Sequence, residues 1–227
     1  MQTVILAGGL GMRLRPMTEM VPKPLVPLLG KPVIEYTLEH LPPETTEIIF
    51  VVGYKGDMIR ARYGDRAFGR AIAYANQEQP RGTGHAVKQA RALVRGPFLL
   101  LYGDDVYGPA GLSKLKSHEW ALLVRRVEHP EKFGVVVCDD EGNVTRMVEK
   151  PAEFVSYLTW VGAGVFQPAF LDVETPLSPR GEYEVTDMVN VLVGRGVRFA
   201  TEHAELWLPG NTHEEVRVAE QELRALG

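Results

Sequence analysis

Along the first half of the chain, short runs of apolar and β-branched residues alternate with stretches whose apolar positions recur every three or four residues. The runs Thr3 to Leu6, Glu47 to Val52, Ala71 to Ala75 and Phe98 to Tyr102 read as strands. Several are apolar nearly throughout, as strands covered on both faces must be. Between them, Ile34, Leu38 and Leu41 mark one helical stripe, and Val87, Ala90 and Val94 mark another that begins after Gly82-Thr83-Gly84. This alternation predicts an α/β fold in which parallel strands are joined by crossover helices.

The second half is more mixed. Trp120 to Val127 reads as a strand, and VVVCDDEGNVTRMV as a hairpin turning at Glu141-Gly142-Asn143. A last stripe of Val216, Ala219, Leu223 and Leu226 predicts a closing helix that begins near Asn211 or Thr212, with Asn211 a candidate N-cap. A length of 227 residues suits one domain spanning 1–227.

Composition narrows the class of partner. Hydrophobic residues at 45% and charged residues at 24% exclude an intrinsically disordered chain. A formal net charge of -4 argues against DNA, RNA or an anionic membrane as the main partner, so any phosphate binding must be local. The single cysteine, Cys138, excludes an internal disulfide framework and fits a reducing compartment, with the cytoplasm the expected address. The opening MQTVILAGG resembles neither a signal peptide nor a membrane span. The oligomeric state stays open, a homo-oligomer included.

The first predicted strand runs directly into GGLGMRLRPMTEMVPKPL. There Gly8, Gly9 and Gly11 let backbone approach a ligand closely, and Arg13 and Lys23 offer two cations to one polyphosphate. Glycines alone would equally suit a plain turn. The pattern is neither a dinucleotide fingerprint, because Leu14 stands where a third glycine is needed, nor a GxxxxGK[ST] loop. The predicted strand FLLLY ends in Gly103-Asp104-Asp105, which puts carboxylates beyond the C-terminal end of a strand, where open α/β sheets bind ligands. Magnesium prefers such hard oxygens and takes only one or two from protein.

The whole string resembles the signature of the sugar-1-phosphate nucleotidylyltransferases, GGxGxRLxPxT followed by PKPL and KPxIEY. Leu6 to Arg13, Pro16, Thr18, Pro22 to Leu25 and Lys31 to Tyr36 carry the resemblance, and further matches continue almost to the C-terminus. It implies a Rossmann-like nucleotidyltransferase fold with a central, mostly parallel sheet flanked by helices and a β-rich sugar-binding part in the second half. It implies that Leu6, Ala7, Gly8, Gly9 and Gly11 wrap the triphosphate, that Arg13 neutralises the leaving pyrophosphate and that Lys23 contacts the reacting phosphates. In NQEQPRGTGHA the family reads its base at the positions of Gln77, Gly82 and Thr83. The form GTGHA resembles that of its uridylyltransferases, so uracil is expected before thymine and both before guanine. An amide can pair with a pyrimidine edge by donating and accepting at once. His85 reads as structural, not as an acid or base.

Asp104, directly after glycine, is implied as the Mg²⁺ ligand. Many relatives carry a second acid in a WxDxGT-like segment, where this chain has Trp207-Leu208-Pro209-Gly210-Asn211 with proline at the expected acid. Asn211, a neutral oxygen ligand, is the candidate second ligand, and helix capping is its rival. The resemblance extends to Phe133-Gly134-Val135 and Val148-Glu149-Lys150-Pro151. It implies Gly134, Glu149, Lys150 and Gly162 on the sugar, with Lys150 also holding the nucleophilic phosphate. Gly162-Ala163-Gly164 replaces the family's Asn-Ala-Gly, so a sugar-contacting asparagine is missing. Arg180 to Asp187 reads chiefly as a helix start.

The implied reaction is Mg²⁺-dependent transfer of a nucleotidyl group from a nucleoside triphosphate, UTP before dTTP, to a sugar 1-phosphate, with release of pyrophosphate. The alternatives are guanylyl transfer to mannose 1-phosphate, cytidylyl transfer to a phosphorylated alcohol such as phosphocholine, and a nucleotide-sugar sensor without chemistry. Relatives often add a β-helix acyltransferase domain, and only the transferase half is expected here.

Overall fold

The computed structural model describes residues 1–226. Its strands in chain order are β1 (Gln2–Ala7), β2 (Pro27–Leu28), β3 (Lys31–Pro32), β4 (Glu47–Val52), β5 (Arg66–Ala67), β6 (Arg70–Asn76) and β7 (Phe98–Tyr102). They continue with β8 (Val106–Tyr107), β9 (Ala121–Arg126), β10 (Gly134–Cys138), β11 (Val144–Glu149), β12 (Leu158–Phe166), β13 (Ala200–His203) and β14 (Trp207–Leu208). The α-helices are α1 (Met17–Met20), α2 (Val33–His40), α3 (Gly56–Tyr63), α4 (Thr83–Lys88), α5 (Pro109–Leu115), α6 (Val185–Gly194) and α7 (His213–Leu226).

One sheet of ten strands runs through both halves in the order β11-β10-β12-β7-β1-β4-β6-β5, with β9 also on β12 and β13 on β9. The β7, β1, β4 and β6 strands are mutually parallel. Antiparallel β12 joins this block to the second half. Among the described residues, seven of the ten strands share one direction, so the expectation of an α/β fold with a mostly parallel sheet holds.

Alternating side chains of the central strands explain the two cores. Val4, Val51, Phe98 and Leu100 face a core closed by α4 and α6, while Ile5, Phe50, Leu99 and Leu101 face one closed by α2, α3 and α5. All are at or near zero exposure, which is why these strands lack polar alternation. The ring of Tyr102 leaves no room for a side chain opposite it. Gly162, at φ 78°, is where β12 passes, and a Cβ there would come within 2.6 Å of that ring.

The strand runs read from the sequence match β1, β4, β6, β7 and β9 to within a residue or two. The hairpin turns where expected, with Gly142 at φ 82°. Two helices differ from expectation. The stripe ending at Val94 is α4 followed by a 3-10 turn, Gln89–Ala92, which stops before Val94. Asn211 is not the N-cap of α7, because the Thr212 hydroxyl accepts the Glu215 amide hydrogen at 3.2 Å. The Glu215 carboxylate returns to the Asn211 and Thr212 amides at 2.7 and 3.1 Å, a reciprocal capping box. The side chain of Asn211 is left for another role.

Candidate active site

The loop after β1 bends over the C-terminal ends of the parallel strands. Gly11 adopts φ 62°, and a Cβ there would press to 2.6 Å from Thr18, whose hydroxyl donates to the Gly11 carbonyl at 2.8 Å. That contact folds the loop back, and Arg13 and Lys23 both reach Asn211 from it. Lys23 sits between Pro22 and Pro24 in a short 3-10 turn, so its backbone is stiff.

The Lys23 ammonium meets the Asp104 carboxylate and lies 2.8 Å from Asn211 Oδ1. Arg13 donates to the same oxygen at 3.3 Å. Thus Arg13, Lys23, Asp104 and Asn211 converge on one point beyond the end of β7. Asp105 turns the other way. It is 4% exposed and accepts hydrogen bonds from the Trp207 indole at 3.0 Å and the Gly210 amide at 3.3 Å. Burial, and then the charge of Asp104, push its carboxyl up to about 8. Asp105 therefore tethers the segment that delivers Asn211 to Asp104.

Beside this centre is a cleft of about 440 Å³ lined by Gly8, Leu10, Gly53, Tyr54, Lys55 and Gln77, among others. Leu6 and Ala7 form the strand end behind it, where the Leu6 carbonyl accepts from the Gly103 amide at 2.9 Å. Gln77 is 7% exposed and its amide nitrogen faces protein, 3.2 Å from the Gly82 carbonyl and 3.0 Å from His85 Nδ1. Its oxygen lies against Gly8, 3.2 Å from where a Cβ there would stand. Gln77 thus presents an acceptor to the cleft, which corrects the expectation that it donates and accepts at once. Thr83 does not aim its hydroxyl at the cleft either. It accepts from the Val185 amide at 3.2 Å and reaches Glu184 at 3.4 Å.

Across Tyr102 stands a second cluster. Gly134 leaves space for Glu149, whose carboxylate is 3.2 Å from where a Cβ at Gly134 would be. Lys150, held at φ 42°, reaches Glu149 at 3.7 Å. Arg180 bridges Glu149 at 3.3 Å and Glu184 at 3.1 Å. Burial raises both carboxyls, Glu184 to about 7, with the charge of Glu149 the next cause there. Burial first, and then the charge of Glu149, raise the Tyr102 hydroxyl well above its ordinary value. Gly162 meets the Tyr102 ring, so its place in the fold is a close approach.

Arg180 and Glu184 lie in the segment that reads from the sequence chiefly as a helix start, and the fold gives them a place in this cluster. Their i,i+4 spacing was visible, yet a helix start explained it equally well, and only the fold brings Arg180 to Glu149.

The low-salt glycan biosynthesis nucleotidyltransferase of Haloferax volcanii is 37% identical to this chain over 218 residues, covering 91% of this chain and 61% of that protein. A UTP–glucose-1-phosphate uridylyltransferase of the same organism is 35% identical over 207 residues, covering 86% and 85%. A glucose-1-phosphate thymidylyltransferase of Streptomyces griseus is 36% identical over 210 residues, covering 87% and 59%. The chain thus spans about three fifths of the length of the first and third of these relatives. A UDP-glucose pyrophosphorylase complexed with UDP-glucose shares the fold at a TM-score of 0.87 and 22% identity, over 100% of this chain and 99% of that one. With the nucleotidyl transferase family pattern matched over residues 2–209, the chain belongs to that family.

Proposed function

We propose that this protein transfers a nucleotidyl group from a nucleoside triphosphate to a sugar 1-phosphate and releases pyrophosphate, with UTP the preferred donor and dTTP next. The observation that carries this reading is the convergence of Arg13, Lys23, Asp104 and Asn211 beyond β7, opposite a second cationic and acidic cluster of Glu149, Lys150 and Arg180. One cluster suits a triphosphate and the other a phosphorylated sugar. Relatives described as uridylyl- and thymidylyltransferases of glucose 1-phosphate support the same class.

The donor set fits Mg²⁺. The Lys23 ammonium already contacts Asp104 and Asn211 together, so their oxygens face a common cation position. Two protein oxygens, with phosphate oxygens and water completing the shell, is the number magnesium ordinarily takes. Asp104 and Asn211 would hold the ion, which when bound supplies charge neutralisation on the phosphates.

In the reaction an oxygen of the sugar phosphate attacks the α-phosphorus, a new oxygen–phosphorus bond forms, and the bond to the β-phosphate oxygen breaks. The chain's own contribution is positioning and charge. The glycine loop and Arg13 hold the departing pyrophosphate, and Lys23 offsets charge at the α-phosphate. Lys150 and Arg180 hold the attacking phosphate, while Glu149 accepts hydrogen bonds from sugar hydroxyls. No covalent enzyme intermediate is required.

The test is pyrophosphate release with UTP, dTTP, GTP and CTP against glucose, N-acetylglucosamine and mannose 1-phosphates and phosphocholine, each with Mg²⁺ or chelator. Release with UTP and a sugar 1-phosphate is expected. Binding of nucleotide with no release anywhere in the panel would instead establish a sensor.

A further inference from the structure

Gln77 has two amide hydrogens, and its surroundings decide where they go. The Gly82 carbonyl, 3.2 Å away, can only accept, so the group facing it must be the amide nitrogen. The opposite orientation would set two oxygens against each other at a residue 7% exposed. The same nitrogen lies 3.0 Å from His85 Nδ1, which must then accept. With Nδ1 accepting, a neutral His85 carries its proton on Nε2, and the Gln89 amide nitrogen 3.4 Å from Nε2 spends its hydrogen on the His85 carbonyl at 2.9 Å instead. Burial, and then the charges of Arg81 and Lys88, lower the proton affinity of His85 in the same sense.

We propose that His85 is a positioning residue that locks the Gln77 amide with its oxygen toward the cleft, and so selects bases whose reading edge offers a ring N–H. With both hydrogens taken by Gly82 and His85, the Gln77 oxygen is the atom left to meet the base. Uracil and thymine present N3–H to such an acceptor, whereas cytosine presents a bare N3, and two facing acceptors repel. His85 does not line the cleft and acts through Gln77. The inference deepens the proposed function and rests on the cleft being a base pocket.

The test is calorimetric binding of unreactive UTP and CTP analogues to the full chain, alongside steady-state kinetics with UTP. His85→Leu removes the acceptor. It should weaken the UTP analogue by about tenfold, the scale of one neutral hydrogen bond and its orientation, while leaving the CTP analogue little changed. KM for UTP should rise more than kcat falls, and KM for the sugar phosphate should hold. His85→Asn, whose Oδ1 can stand where Nδ1 stands, should recover most of the loss. In a Gln77→Ala background, His85→Leu should add nothing.

Equal weakening of both analogues, no recovery with asparagine, or an undiminished effect without Gln77 would each overturn the proposal. A wild-type chain that binds the UTP analogue no better than the CTP analogue overturns the base-pocket reading and this inference with it. A wild-type preference for UTP that is undiminished in His85→Leu overturns the inference alone.

Discussion

The Trp207 indole donates a 3.0 Å hydrogen bond to Asp105, and through it the last strand of the chain is tied to the end of β7. Trp207 belongs to β14, which pairs with β8 directly after the aspartates. The contact is buried and holds Asn211 within reach of Lys23 and Asp104.

Trp207→Phe keeps an aromatic six-membered ring but gives up the pyrrole half of the indole and leaves Asp105 short of a donor. Chemical denaturation should show a loss of about 1–3 kcal/mol, the cost of a buried acceptor left unpaired. The Mg²⁺ requirement of turnover should rise with it, because Asn211 is less well held. Unchanged stability would mean that the tether is dispensable.

Lys23→Ala and Asp104→Ala should each lower turnover by about a hundredfold or more, the range for lost electrostatic or metal contacts at a phosphate centre. Circular dichroism should report an intact fold, since neither side chain belongs to a hydrophobic core cluster. Near-normal turnover in either variant removes that residue from the reaction.

Asn211→Ala separates two roles. Thr212 supplies the cap, so the melting temperature should stay close to that of the parent. The Mg²⁺ concentration for half-maximal turnover should climb on the order of tenfold. Chelator should abolish turnover in both proteins, with Mg²⁺ restoring it. A large fall in melting temperature with an unaltered Mg²⁺ response would return Asn211 to a structural role.

Glu184 gives a pH signature. Its carboxyl rises from 4.5 to about 7 in the fold, because burial and the nearby Glu149 charge disfavour ionisation. A raised acid binds its proton more tightly when folded, so its stabilising contribution is full below pH 4.5 and is lost as pH rises through 7. Glu184→Gln, which is neutral throughout, should flatten the fall in stability across that window. An identical pH profile for the two proteins would contradict the assignment.

Gly162→Ala should cost about 1–3 kcal/mol, since it combines a left-handed backbone with a side chain driven into the Tyr102 ring. Urea unfolding measures it directly. A neutral outcome would show that Tyr102 can move aside.

Much of this architecture was legible in residue order because it rests on local preference. The runs around Val4, Ile49 and Leu100 are apolar throughout because both sheet faces are covered, and that pattern survives in the sequence without any knowledge of the neighbours. The glycine bend, Arg13, Lys23 and the aspartates after β7 were legible for the same reason, as loop chemistry adjoining a recognisable strand.

What residue order determined, then, was the set of elements and the chemical groups at their ends. The tertiary structure decided which of two adjacent aspartates is buried beneath Trp207 and which faces Lys23. It decided that Thr212 caps α7 and leaves Asn211 free, that Arg180 reaches Glu149, and which way the amide of Gln77 points. Most of these outcomes depend on partners far apart in the chain, such as Asp105 and Trp207, 102 residues distant. Burial and hydrogen-bond geometry between such partners exist only once the sheet has closed, and no periodicity within a short segment encodes them.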